Sequence, residues 1–221
     1  MANNGSARSI SGRVSEMLAD PKLDEEGLRL YLARLLDQAS YHSRLINKQL
    51  VLFFGIGALF EVLSRGAVRE LELLGAKFQD LSFIRSLLPV AAAYLFASMV
   101  SSFLATLLYR RVVNQIHFQR YPRMAASRLH ELLLPVGNPF SITMELDLFT
   151  SRPSVQGLMA AGSVAYVGLI FAGPVAFFVY AYSRLFAEPG APSVLVYLSL
   201  LGTVFFALFA LWQIAVSLRL D

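Results

Sequence analysis

The sequence predicts an all-α membrane protein with four transmembrane helices, a cytosolic helical N-terminal segment and a cytosolic middle segment. Three observations predict it. The first is composition: of 221 residues 56% are apolar and only 15% charged, with no cysteine. A soluble domain carries roughly 45–50% apolar and about 25% charged residues, so soluble, disordered and disulfide-stapled classes are excluded together. The mean hydropathy of +0.57 points the same way. The second is a set of long runs free of Asp, Glu, Lys and Arg: 23 residues from Leu87 to Tyr109, 31 from Pro153 to Ser183 and 30 from Pro189 to Leu218. Each exceeds the roughly 20 residues an α-helix needs to cross hydrocarbon about 30 Å thick.

The third observation is the distribution of Lys and Arg, which decides whether a fourth span exists. Gln49 to Phe60 is an uncharged run of only 12 residues. Lys48 can extend its charge outward along its aliphatic stem, and Glu61 sits four residues before Arg65, so a span over 46–66 is feasible. With four spans the basic residues divide 14 against 5 across the bilayer; with three they divide 12 against 7. Positive charge favours the cytosolic side, so the four-span arrangement fits better. It expects a cell inner membrane protein with both termini cytoplasmic.

The elements follow in chain order. Residues 1–13, MANNGSARSISGR, lack an apolar stretch and read as a flexible tail rather than a targeting peptide. Insertion is then expected to be signalled by the first span. Residues 14–47 form a cytosolic amphipathic helical segment. Asp20 before Pro21, or Asp24 before Glu25 and Glu26, suits a helix start, because a carboxylate caps free N–H groups and acids favour the positive end of the dipole. Leu28, Tyr31, Leu32, Leu35, Leu36 and Ala39 then fall at helical spacing. They make one apolar face that needs cover from membrane, middle segment or another subunit.

Residues 67–86 are an outer amphipathic connection after the first span. Val68, Leu71, Leu74, Phe78, Leu81 and Phe83 alternate with charges in a helical pattern interrupted by Gly75, which predicts a helix lying in the interface. The second span covers 87–109. The cytosolic basic segment, 110–152, begins with Val112, Val113, Ile116 and Phe118, which extend the second span as a helix to Tyr121 and Pro122. Within it SITMELDLF (141–149) alternates with period two and reads as a half-buried strand or an amphipathic linker. The third span covers 155–183 and the fourth 193–216. Gly157, Ala161 and Ala165, then Gly168, Ala172 and Ala176, form ladders of small residues that let helices approach closely. Gly173 and Pro174 predict a kink.

Candidate functional residues fall into three groups. Tyr94, Ser98, Ser101, Ser102, Thr106 and Tyr109 carry every hydroxyl of the second span and share an arc of about 140° at 100° per residue. Such a stripe either lines a narrow hydrated path or packs a helix bundle through interhelical hydrogen bonds. Glu61 is the candidate membrane acid: it either faces a pore mouth or pairs with Arg65 at the interface. Arg110, Arg111, Arg120, Arg123 and Arg128, with Phe118 and Tyr121 among them, are the candidate anion or partner site, either through lipid headgroups or through a cytosolic ligand.

No catalytic, metal or cofactor signature is present. There is no HExxH, Walker loop or GxSxG elbow, and His42, His117 and His130 match no metal-site spacing. Glu25, Glu26 and Arg29 approach the EExxxR pattern of intramembrane proteases but are one residue short of it. The expected function is therefore not enzymatic. It is a homo-oligomeric, channel-like or pore-forming inner-membrane protein, a ligand- or partner-controlled effector of membrane permeability in a setting such as anti-phage or stress response. The alternative is a non-conducting scaffold or sensor that recruits a cytosolic partner. The expected partners are the lipid bilayer, further copies of the chain, and a cytosolic protein or anionic ligand at 110–152.

Overall fold

The computed structural model describes residues 10–20, 23–66, 71–73, 76–78, 81–123, 153–187 and 194–218. Five helices and one small hairpin occupy them: α1 (Ile10–Leu18), α2 (Glu25–Ser64), β1 (Leu71–Leu73), β2 (Ala76–Phe78), α3 (Ser82–Arg120), α4 (Pro153–Phe186) and α5 (Val194–Ser217). The described residues are thus mostly helical, apart from two three-residue strands and short turns. Three helices, α2, α3 and α5, are long and apolar enough to cross a membrane. In α4 the apolar stretch runs over Ile170–Phe186.

The helix ends have local causes. Asp24 starts α2: its Oδ1 accepts a hydrogen bond from the Gly27 N–H at 2.7 Å, and Glu25 and Glu26 occupy the first turn. That satisfies a donor the helix cannot reach and places acid at the positive dipole end. Of the two starts open in the sequence, Asp24 is the one used. Helix α2 ends at Gly66, whose φ of +64° is the left-handed cap that glycine adopts without cost, with its N–H bonded to the Leu63 carbonyl at 3.1 Å. Helix α3 ends at Arg120, before the Tyr121-Pro122 step that the sequence marks. Pro174 lies inside α4, which continues through it as one helix.

Two expectations need correction. The tail does not extend to residue 13, because Ile10–Arg13 belong to α1. The cause is a seam spaced at i, i+4, i+7 and i+8: Ile10, Val14, Met17 and Leu18 pack onto a core of Leu28, Leu35, Val113 and Ile116. The outer connection is likewise not one helix. Leu71–Leu73 pairs antiparallel with Ala76–Phe78, setting Glu72 opposite Lys77. Glycine at position 75 would weaken a helix through this stretch, and the alternation of Leu71 and Leu73 with Glu72 fits the two-residue period of a strand.

The chain divides into two compact units. The first comprises Met1–Asn47, Ser101–Gly162 and Gln213–Asp221, and the second Lys48–Val100 and Ser163–Trp212. The first is organised around the aliphatic seam just described. Gln115 and Gln119 fasten α1 at its edge, donating to Ser11 Oγ at 3.1 Å and Ser15 Oγ at 2.9 Å.

The second unit has an aromatic core. Phe60 is fully buried and meets Phe177 and Tyr180 edge-on, at ring separations of 5.8 and 6.3 Å. Leu63, Leu88, Ala181, Leu185 and Val196 complete the cluster. A Cβ added at Gly202 of α5 would come within 3.2 Å of Val90 on α3, so the glycine sets how closely these two helices approach. Outward, the unit shows Val51, Phe54, Val179, Tyr197, Leu201, Phe205 and Leu208, an apolar exterior suited to hydrocarbon.

Candidate functional site

The hydroxyl stripe of α3 is where polar chemistry enters apolar helices, and its members have different surroundings. In the second unit Ser98 accepts a hydrogen bond from Gln49 Nε2 of α2 at 2.5 Å. Gln49 is buried, and its Oε1 has no hydrogen-bond partner among the described residues. Tyr94 is 56% exposed and rests its ring edge-on against Phe206 at 5.6 Å.

The remaining members lie in the first unit. Ser101 donates to Gln213 Oε1 of α5 at 2.9 Å, and Ser102 is buried. Thr106 bonds back to the Ser102 carbonyl at 2.9 Å. Tyr109 stacks on His42 of α2, with ring centroids 5.8 Å apart and planes at 30°. Two of the six hydroxyls thus hold glutamines from other helices. A glutamine offers both donor and acceptor, and in an apolar setting such a bond joins helices by about 0.6–2 kcal/mol. Gln49 and Gln213 are the hydrogen-bond partners of the stripe that sequence reading missed. Each looks like a polar blemish in an apolar run until its serine is known.

Glu61 is placed as one of its two sequence readings anticipates, with an addition. Arg65 Nε donates to Glu61 Oε1 at 2.6 Å, one helical turn away. The Tyr180 hydroxyl of α4 donates to the other carboxylate oxygen. Arg184 lies over the Tyr180 ring, its guanidinium carbon 5.6 Å from the centroid, a cation–π arrangement. The carboxylate is half-exposed and served by two donors, so its charge is compensated without a pore. Nothing in the sequence pairs residues 119 positions apart, although aromatic Tyr180 one turn before Arg184 is a visible interfacial pattern.

The basic group is only partly within the described residues, since Arg128 and the SITMELDLF stretch lie outside them. Arg110 is half-buried, whereas Arg111, Arg120 and Arg123 are exposed. Arg120 forms a 3.7 Å ion pair with Glu25 at the start of α2. Phe118 is exposed on the same helix, and His117, buried, donates from Nδ1 to the Val113 carbonyl at 2.9 Å. The arrangement presents arginine forks and an aromatic face to the surroundings, suited to phosphate or carboxylate groups.

The small-residue ladders of α4 are exposed: Gly157, Ala161, Ala165, Gly168, Ala172 and Ala176 all face outward. Among the described residues no group of His, Cys, Asp and Glu could hold a metal ion. No family model, no curated protein and no solved structure matches this chain.

Proposed function

We propose that the chain is a four-span protein of the cell inner membrane, with both termini cytoplasmic, and that it is a sensor or scaffold that recruits a cytosolic partner. The spans are 46–66, 87–109, 155–183 and 193–216. The observation that carries this reading is helix length. Helices α2 and α3 contain 40 and 39 residues, about 60 Å each at 1.5 Å per residue, against hydrocarbon about 30 Å thick. Roughly half of each helix therefore stands clear of the bilayer as a stalk, with α1 fastened along it. The exposed Arg111, Arg120, Arg123 and Phe118 form its binding face, for an acidic protein or an anionic ligand. The chain acts as a homo-oligomer, with the exposed ladders of α4 as the contact between copies.

The test uses the purified full chain and the same chain carrying Arg111→Glu and Arg123→Glu. A cytosolic partner binds the full chain and is lost on the substitution, while liposomes carrying the protein stay silent. Steady conductance without a partner overturns the reading. Topology is checked separately. Because the chain has no cysteine, Arg123→Cys gives one thiol, which an impermeant maleimide reaches only after the inner face is opened.

A second reading, a partner-controlled conduit of the anti-phage or stress type, is favoured by one observation. Gln49 Oε1 is buried beside Ser98 with no hydrogen-bond partner among the described residues, and a hydrated path would satisfy it. Under this reading liposomes conduct ions and Ser98→Leu lowers the conductance.

A further inference from the structure

The geometry points to a binding site for a phosphate group, of the kind carried by an anionic phospholipid headgroup, between Arg65 at the end of α2 and Arg184 near the end of α4. The site belongs to the second unit and is separate from whatever the stalk recruits. Two guanidinium groups flank one carboxylate there. Arg65 holds Glu61 at 2.6 Å, and Tyr180, which bonds the same carboxylate, carries Arg184 over its ring. One positive charge is left in excess. Arg184 is that excess: it is exposed and makes no ion pair among the described residues. Arg65 is also accessible, with 73% of its side chain exposed.

The pair is built rather than incidental. Tyr180 packs edge-on against Phe60, which is fully buried, so the platform under Arg184 is fixed by the core. Ser183, exposed beside Arg184, donates its hydroxyl to the Tyr180 carbonyl at 2.7 Å. The position in the chain supplies the ligand chemistry. Arg184 directly follows the 31-residue uncharged run and Arg65 lies in the last turn of the first proposed span, so both sit at headgroup depth in the four-span arrangement. A guanidinium there meets phosphate diesters, and its planar fork bonds two phosphate oxygens at once.

Glu61 has a defined role in this site. It orients Arg65, and it also competes with the phosphate for it. Removing the carboxylate charge therefore strengthens phosphate binding, whereas removing Arg184 weakens it.

The experiment uses the purified full chain in neutral detergent, with native mass spectrometry counting retained lipid. The probes are phosphatidylglycerol, phosphatidylcholine and free inorganic phosphate. The wild type retains phosphatidylglycerol over phosphatidylcholine. Arg184→Gln lowers that retention about fivefold, the equivalent of roughly 1 kcal/mol per basic residue at a membrane surface. Glu61→Gln raises it. Displacement of the lipid by inorganic phosphate supports a site that reads the phosphate alone; failure to displace it supports one that also requires the lipid body. Unchanged phosphatidylglycerol retention in Arg184→Gln, at unchanged helix content by circular dichroism, overturns the proposal. So does a shift of both variants in the same direction, which a merely structural cluster would give.

Discussion

The two compact units differ in what they bury and in what they show. In the first, the apolar residues Val14, Leu28, Leu35, Val113 and Ile116 lie inside and polar contacts such as Gln119 to Ser15 lie at the edge. In the second, polar contacts are buried beside the aromatic core. Tyr182, Ser199 and Thr203 are all buried, with the tyrosine hydroxyl 3.0 and 2.8 Å from the other two oxygens. Leucine, valine and phenylalanine also cover its outside. Water rewards burial of apolar area; hydrocarbon does not, so helices in it are joined by packing and internal hydrogen bonds. Under the four-span proposal exposure has no fixed meaning along this chain: an outward leucine is tolerated in the first unit and favoured in the second.

The sharpest way to break that contrast uses two leucines of nearly equal exposure, Leu30 at 61% and Leu208 at 60%. Leu208→Lys places a charge midway along α5 and costs about 3 to 4 kcal/mol of insertion free energy. Leu30→Lys stays within about 0.5 kcal/mol, as surface substitutions do in water. Insertion of α5 and of the α2 stalk, followed by glycosylation mapping and thermal unfolding, separates the two. Equal effects would place both leucines in one solvent.

Next comes Ile116→Ala in the aliphatic seam, where Ile116 is fully buried. It costs about 3 kcal/mol through lost burial and a residual cavity, and it loosens α1, so protease cutting after Arg13 accelerates. Unchanged cutting would mean that α1 does not depend on the seam.

Smaller effects sharpen the comparison at its edges. Asp24→Ala removes the cap of α2 and costs about 1 kcal/mol, read as lower helix content by circular dichroism. Tyr182→Phe removes the hydroxyl that meets Ser199 and Thr203 and costs about 0.6 kcal/mol, the typical interhelical hydrogen bond in lipid. A loss of several kcal/mol in detergent unfolding would instead mark that cluster as the main bond of the second unit.

Much of the fold is legible in the sequence, and the reasons are local. Uncharged runs report membrane-crossing helices because lipid tolerates no unpaired charge, and Asp24 and Pro122 report helix ends because capping and proline sterics act over a few residues. Helix α1 is hidden because its four apolar residues stand among serines and gain meaning only from Val113 and Ile116, 100 positions away. The hairpin is hidden because Leu71, Leu74 and Phe78 satisfy a helical period while Leu71 and Leu73 satisfy a strand period. The pairing of Glu61 with Arg65 is readable at four residues' spacing. Its bond to Tyr180, and those of Ser98 and Ser101 to their glutamines, are set by which helices pack together, and a single sequence does not encode that in any short pattern.

Gly202 sets the spacing of α5 from Val90. Its missing methyl leaves Val90 3.2 Å from where a Cβ would stand, while the far side of α5 faces outward through Leu201, Phe205 and Leu208. A helix squeezed from one side only can yield toward a fluid. The contact is therefore metered rather than locked: Gly202→Ala is expected to move α5 outward by a few tenths of an ångström, and under the four-span proposal acyl chains take up the displacement.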